Sequence, residues 1–292
     1  VATTTRPYRG PADLRAMQDL ARRVWSHASR FHVGDLAWQR NQHLGREADR
    51  PTLLWEDGGR VRAWGWAELP GTLDLLVDPA RPELADAVLA WFSGVATAPR
   101  LLVTVLEGES HLIAALERAG YTWDTAAYRG VYMSRALADL PPPALPAGFT
   151  ARPLRGEADL ERRVALHRQV WHPSAVTPQS YRNVRAAWPY REDLDWVVEA
   201  PDGAFAANCL IWWDADNRVG ELEPVGTAPA FRRAGLGRAV CLAAMRALGA
   251  LGAEEAVVYP VENHPNAEAA LPLYRGLGFT PYARTRTYTL VR

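Results

Sequence analysis

The feature that most constrains this chain is a repeat at an offset of 146 residues. Arg6-Pro7-Tyr8-Arg9-Gly10-Pro11-Ala12-Asp13-Leu14 returns as Arg152-Pro153-Leu154-Arg155-Gly156-Glu157-Ala158-Asp159-Leu160. The register holds on through residues 20–25 against 166–171. Each copy predicts a short strand, a glycine turn and an amphipathic helix. A period this long belongs to duplicated domains, because solenoid repeats are several times shorter. Between the copies, residues 139–148 hold four prolines in ten positions, which favours an extended connector. The expected organisation is one domain at 1–138, a linker at 139–148 and a second domain at 149–292, as a chain of 292 residues can accommodate.

The halves run in parallel beyond the repeat. Residues 52–57 and 196–200 predict strands that meet turns at Asp57-Gly58-Gly59 and Pro201-Asp202-Gly203 and return as strands, the grammar of a hairpin. Strands at 72–77 and 219–227 follow, then helices at 82–92 and 236–251 and strands at 101–106 and 255–259. Helices at 111–119 and 267–277 stop at Gly120-Tyr121 and Gly278-Phe279, glycine being the usual helix terminator. A final strand pair is expected to close each half. The order β-α-α-β-β-β-α-β-α-β gives an α/β fold, a mixed sheet with helices on both faces.

Charge and cysteine content narrow the function classes. Thirty-three basic side chains balance thirty-three acidic ones, so no global field collects nucleic acid or an acidic membrane. No apolar run reaches membrane-spanning length and the start of the sequence lacks a signal-peptide core. A cytoplasmic protein that binds neither nucleic acid nor membrane is expected, as monomer or homodimer. Cys209 and Cys241 sit in apolar runs, which fits two buried thiols better than a disulfide or a nucleophile.

The chemistry concentrates where an apolar strand stops at Thr227, an Arg- and Gly-containing loop follows, and a helix begins at once. Backbone N–H groups at a helix start lack intrahelical partners and face a positive dipole end. Gly235 and Gly237 let an anion approach that backbone closely, and Arg232, Arg233 and Arg238 add charge suited to phosphate. The segment Arg232-x-x-Gly235-x-Gly237, followed later by Leu273-Tyr274-Arg275-Gly276-Leu277-Gly278-Phe279, resembles the GNAT superfamily of acyl-CoA-dependent N-acyltransferases. The resemblance covers the second half; the first shares only the element order and the repeat. It implies two tandem GNAT-like domains, each a mixed, mostly antiparallel sheet with helices on both faces. It also implies transfer of an acetyl group from acetyl-CoA to an amine, with no metal.

The resemblance assigns roles to residues. Backbone groups of Val225, Gly226 and Thr227 would meet the pantetheine arm, and Arg232, Arg233, Ala234, Gly235, Leu236, Gly237 and Arg238 would hold the pyrophosphate. Asn266, or Asn263, would touch the cofactor. Tyr274 would protonate the leaving thiolate. Glu221 and Glu223 share one face of their strand with Val225; buried, either would have a raised pKa and serve as base, with His172 and His264 as lesser candidates. Pro224 and Gly226 suit a bulged strand, and Pro272 is expected to interrupt the helix ahead of Tyr274.

Trp171, His172, Tyr181, Trp188, Tyr190 and Asp195 are expected either to build the acceptor site or to pack as a lid. Paired domains suit a pocket for a small-molecule amine, though protein N-termini stay open. In the first half, Val77-Asp78-Pro79-Ala80-Arg81-Pro82-Glu83 lacks the glycines. Asp78, Glu83 and Asp86 would repel pyrophosphate, and Leu116 falls opposite Tyr274. No cofactor is expected there. A non-catalytic acyl-CoA sensor and a two-domain interaction scaffold are the rival readings.

Overall fold

The repeat motif owes its composition to one buried acid in each half. Asp13 accepts from Arg6 at 2.5 Å and from the Arg9 backbone N–H at 2.6 Å. Asp159 does the same with Arg152 at 2.6 Å and Arg155 at 2.8 Å. Each arginine also pairs with a neighbouring strand, Arg6 with Glu56 at 2.8 Å and Arg152 with Glu199 at 2.7 Å. The motif is a clamp between first strand, first helix and second strand.

The computed structural model describes residues 2–262 and 269–292. The first half contains β1 (Thr4–Pro7), α1 (Pro11–Val24), α2 (Val33–Asn41), β2 (Thr52–Asp57), β3 (Arg60–Glu68), β4 (Thr72–Val77), α3 (Leu84–Val95), β5 (Arg100–Leu106), α4 (Ser110–Arg118), β6 (Thr122–Trp123) and β7 (Arg129–Ala136). The second contains β8 (Thr150–Pro153), α5 (Leu160–Val170), α6 (Pro178–Ala186), β9 (Asp195–Glu199), β10 (Phe205–Asp214), β11 (Val219–Thr227), α7 (Leu236–Ala250), β12 (Glu255–Val258), β13 (Val261–Glu262), α8 (Ala270–Gly276) and β14 (Thr280–Val291).

The halves do not close separately with a final strand pair. The sheet runs β1-β2-β3-β4-β5-β14-β7-β12-β11-β10-β9-β8. β14 pairs with β5 of the first half from Thr285↔Leu106 to Val291↔Arg100. β7 pairs with β12 of the second half from Glu255↔Ala136 to Val258↔Met133. The two exchanged strands also pair with each other, Thr280↔Ser134 to Arg284↔Val131. Each half thus satisfies the other's sheet edge, and the backbone groups a free edge would expose are bonded.

Alternation along β10 separates two cores. Cys209 and Ile211 face α7 and pack with Cys241, Met245 and Tyr274. Leu210 and Trp212 face the other way and pack with Val164 of α5, Tyr181 of α6 and Trp38 of α2. A first-half helix therefore covers part of the second half's sheet. No helix among the described residues is long and apolar enough to cross a membrane.

Candidate active site

β11 carries the irregularity its composition predicts. Opposite β10 the register jumps between Cys209↔Val225 and Ile211↔Leu222, so Glu223 and Pro224 together face Leu210. The bulge is held by Asn208, which donates to the Pro224 carbonyl at 2.9 Å, and by Trp212, whose Nε1 donates to the Glu223 carbonyl at 2.7 Å. On the other side β11 pairs in parallel with β12 only as far as Glu221↔Val257. Beyond that point the strands part.

A cleft of about 690 Å³ opens beside this split, lined by Trp171, His172, Val225, Gly226, Thr227, Arg232, Leu273 and Tyr274. A Cβ at Gly226 would stand 2.7 Å from Val170 and 2.8 Å from the Trp171 ring. Gly235 caps α7 in the left-handed region at φ 79°, and no atom of the described residues lies within 4 Å of where its Cβ would be. Its backbone is open to an incoming group, and α7 begins there with unpaired N–H groups. Gly237 follows two residues later in the same first turn, where a Cβ would stand 2.9 Å from the Thr227 hydroxyl. The structure brings Val225, Gly226, Thr227, Arg232, Gly235 and Gly237 to one rim. Arg233 and Ala234 are exposed in the loop. Leu236 turns its side chain into the core, and Arg238 is bonded to the Gly276 carbonyl of α8, which joins the two helices. Asn263, His264 and Asn266 lie outside the described residues.

Tyr274 lies in α8 at the cleft floor, 6% exposed, edge-on to Phe279 at 5.8 Å. Pro272 does not break this helix. It occupies the first turn, where no intrahelical N–H bond is lost. Burial, with Cys241, Cys209 and Glu223 nearby, pushes the Tyr274 phenol well above its ordinary pKa, so it keeps its proton. The Phe279 N–H donates to the Tyr274 carbonyl at 3.0 Å. In the first half the Tyr121 N–H donates to the Leu116 carbonyl at 3.0 Å, which puts Leu116 at the matching position.

The two glutamates have different surroundings. Glu221 is 1% exposed, and its carboxyl lies 3.0 Å from Nδ1 of His32 in the first half. The same Nδ1 accepts from the Gly34 N–H at 3.1 Å, while the His32 N–H donates to Asp35 at 2.9 Å, a capping box that starts α2. Accepting from Gly34, Nδ1 carries no proton, so the Glu221 contact is a hydrogen bond when the carboxyl is protonated and shares that lone pair with the Gly34 N–H. Burial moves both partners the same way, Glu221 up to about 8 and His32 down to about 4. Asp35 is pushed well above the carboxylate range by burial and by Glu221. Glu223 is partly buried and reaches about 8 through burial and the charge of Asp35. Three carboxyl groups, one from the first half, thus share this junction.

Nothing local to His32 and Asp35 marks them as site residues. Their spacing signals a helix start but says nothing of a partner 189 positions away. The contact depends on Gly34, where a Cβ would overlap the Glu221 carboxyl and the Trp212 ring. Gly34→Ala is therefore expected to destabilise the fold by about 1–3 kcal/mol, although alanine is the better helix former by about 1 kcal/mol. Urea unfolding monitored by tryptophan fluorescence measures the sign; an unchanged midpoint contradicts the close approach.

The aromatic segment divides. Trp171 and His172 line the cleft, with Trp171 stacked on His167 at 4.3 Å. Tyr181 and Asp195 are fully buried and bonded at 2.5 Å, with Arg163 and Tyr190 bonded to the same Asp195. They form a core network. Trp188 meets the first half, stacked under Arg15 with its carbonyl accepting from Gln18 at 2.7 Å.

The first half is built differently at the matching places. β4 and β5 pair at Thr72↔Leu102 and Leu73↔Val103. Just beyond, Arg30 bridges them, donating to Asp74 and to the Thr104 carbonyl, both at 2.7 Å. Ahead of α3, Asp78 accepts from the Ala80 N–H at 3.0 Å and pairs with Arg62 at 2.9 Å. Glu83 and Asp86 are paired with Arg81 and Arg118, so their repulsion of an anion is largely offset. Arg30 thus spans the two strands where they stop pairing. Among the described residues, no group of three or more His, Cys, Asp or Glu side chains could hold a metal ion.

A parallel strand pair that parts beside a glycine-capped helix, within two like halves, is the arrangement of a tandem GNAT-like fold. Residues 164–279 match the acetyltransferase (GNAT) family. It is 35% identical over 182 residues to a mycothiol acetyltransferase of Kineococcus radiotolerans, covering 60% of this chain and 57% of that protein. It is 28% identical over 259 residues to a mycothiol acetyltransferase of Frankia alni, covering 79% of this chain and 75% of that one. The chain thus spans little more than half of the Kineococcus relative. Among solved structures, a tandem GNAT protein from the clavulanic acid biosynthesis pathway shares the fold at TM-score 0.66 and 16% identity, over 99% of this chain and 98% of that one. A GCN5-related N-acetyltransferase from Sphaerobacter thermophilus does so at TM-score 0.63 and 19% identity, over 99% and 95%.

Proposed function

We propose that this chain is an acetyl-CoA-dependent N-acetyltransferase with one working site, in the second half, acting on a small-molecule amine. The observation that carries the reading is the split between β11 and β12. The cleft beside it is lined by Tyr274, Thr227 and Arg232, and Glu223 acts electrostatically on the Tyr274 phenol, which supports the reading. Acetyl-CoA fits this chain's own features: a cradle at Gly226 and Gly237 that side chains would fill, and open N–H groups at Gly235. When bound, it supplies an acyl thioester.

Each protein group then has a task. The α7 N-terminus and Arg232 bind the anionic end. Glu223, partly open to the split, takes the proton from the attacking amine. Glu221 is sealed against His32 and acts through its neighbours as a positioning residue. Tyr274, held neutral by burial, gives its proton to the departing sulfur. Cys209 and Cys241 are free and buried, and burial followed by its hydrogen bond to Cys241 pushes the Cys209 thiol well above its ordinary pKa, which favours direct attack in a ternary complex. The curated relatives' names favour a small-molecule acceptor.

Tyr274→Phe is expected to lower kcat about 10²-fold while leaving acetyl-CoA affinity nearly unchanged. Thiol release with an amine panel, run beside calorimetric titration, measures both. Full turnover in this variant removes Tyr274 from the chemistry.

A further inference from the structure

We propose that the groove between the halves, along α1, α2 and α6, is a second ligand site for a small polar molecule bearing a phosphate or carboxylate group. It goes beyond the acetyl-transfer reading and does not depend on it. Two cavities of about 690 and 550 Å³ adjoin there and share Tyr8, Pro11, Asn41 and Asn183. Asn183 comes from the second half, so both halves form the walls.

The groove holds cations that the protein does not neutralise. Most arginines of the first repeat helix and its neighbours have carboxylate partners: Arg6 with Asp13, Arg15 with Asp19, Arg46 with Asp49. Arg9 and Arg40, both lining the groove, form no ion pair with the described residues. Arg40 is also held in position. Its guanidinium lies 3.9 Å over the Tyr8 ring and 4.9 Å from that of Trp66, and Nη1 donates to the Thr52 hydroxyl at 3.2 Å. A stacked guanidinium keeps its edge donors in a fixed plane, ready for two oxygens of one anion.

Two buried atoms in the same wall lack partners among the described residues. The Arg50 side chain is 8% exposed, pairs with Glu68 at 2.9 Å and donates to the Gln39 carbonyl at 3.1 Å, yet its buried Nε has no acceptor. Nδ1 of His43 is buried and unpartnered as well. An unsatisfied buried donor costs on the order of 1–3 kcal/mol, and a ligand oxygen would satisfy it. The His43 pKa is lowered by burial and then by Arg50 and Arg46, so the local field is positive even with Glu47 in the wall. The amides complete the chemistry. Asn41 spends its N–H on the Ala37 carbonyl at 2.8 Å and keeps its oxygen, and Asn183 accepts from Gln179 at 3.3 Å and keeps its N–H donors. Such a pair suits hydroxyl groups on the body of the ligand.

The test is calorimetric titration of the full chain with glucose 6-phosphate, glucuronate and glucose, in wild type, Arg9→Gln, Arg40→Gln and Gly237→Glu. Expected is saturable binding of one or both anionic sugars and none of glucose, weakened at least tenfold in Arg9→Gln and in Arg40→Gln and unchanged in Gly237→Glu. Binding of the phosphate sugar alone, or of the carboxylate sugar alone, identifies which oxyanion the groove takes. Arg9 is exposed, so its variant tests the site even if Arg40→Gln unfolds. No saturable binding of either anion, equal binding of glucose, or loss confined to Gly237→Glu overturns the proposal; the last assigns the anion to the α7 loop.

Discussion

Gly237→Glu is expected to remove acetyl-CoA binding while leaving the fold intact. Position 237 lies in the first turn of α7, where an acidic side chain meets the positive end of the dipole and stabilises a helix by about 0.3–1 kcal/mol. The substitution should therefore not unfold the chain. Its carboxylate would sit where the anionic end of the ligand has to approach, and two like charges about 4 Å apart repel by about 1 kcal/mol in water and about 4 kcal/mol near a protein surface. Between those limits a loss on the order of 10²-fold in affinity follows, before any clash with the Thr227 hydroxyl. Calorimetry on the wild type should give one site per chain, because Arg30 spans the corresponding strands of the first half where they stop pairing. Two sites would refute the asymmetry between the halves; unchanged affinity in the variant would refute the pyrophosphate assignment.

Glu223→Gln is expected to lower turnover by about 10²–10⁴-fold, the range for removing a general base, with acetyl-CoA affinity kept within a few-fold. The pH dependence follows from the burial of this carboxyl. With its pKa raised to about 8, Glu223 holds a proton at neutral pH and cannot accept another. The wild-type rate should thus rise with pH up to about 8 and then level. An acceptor amine that must lose its own proton would produce a similar limb, so Asp35→Asn is the discriminating variant. Removing the Asp35 charge relieves the repulsion that helps to raise Glu223, and the limb should move to lower pH. The amine's own ionisation would not respond. A limb that stays in place, with full rate in Glu223→Gln, sends the base role elsewhere.

How far the sequence could be read depended on whether a feature was local. The repeat, the hairpins and the glycine-capped α7 are set by neighbours within a few positions, and the structure has them in the expected order. The bulge at Glu223 and Pro224 was legible because proline cannot donate to a ladder. What stayed hidden needed distant partners. Tyr181 and Asp195 could equally have built the acceptor site or packed as a lid; they bond to each other and Asp195 bonds to Arg163 in the core, a pairing that spacing alone cannot reveal. The role of Arg30 required knowing that Asp74 and Thr104 flank one gap. Asp35 and His32 required knowing that α2 lies on the other half's sheet.

The exchanged strands carry a consequence for how this protein comes into being. Thr104 of β5 meets Thr287 of β14 across 183 positions of chain, so the first half cannot complete its sheet while it is being synthesised. Its β5 edge stays open until residues 285–291 emerge, and an open edge recruits foreign strands. Contacts this distant also slow folding. The same arrangement gives a nascent chain two equivalent ways to finish, one with its own β14 and one with that of a neighbour. Crowded synthesis should therefore yield intertwined dimers that are assembled from correct parts and separate only by unfolding.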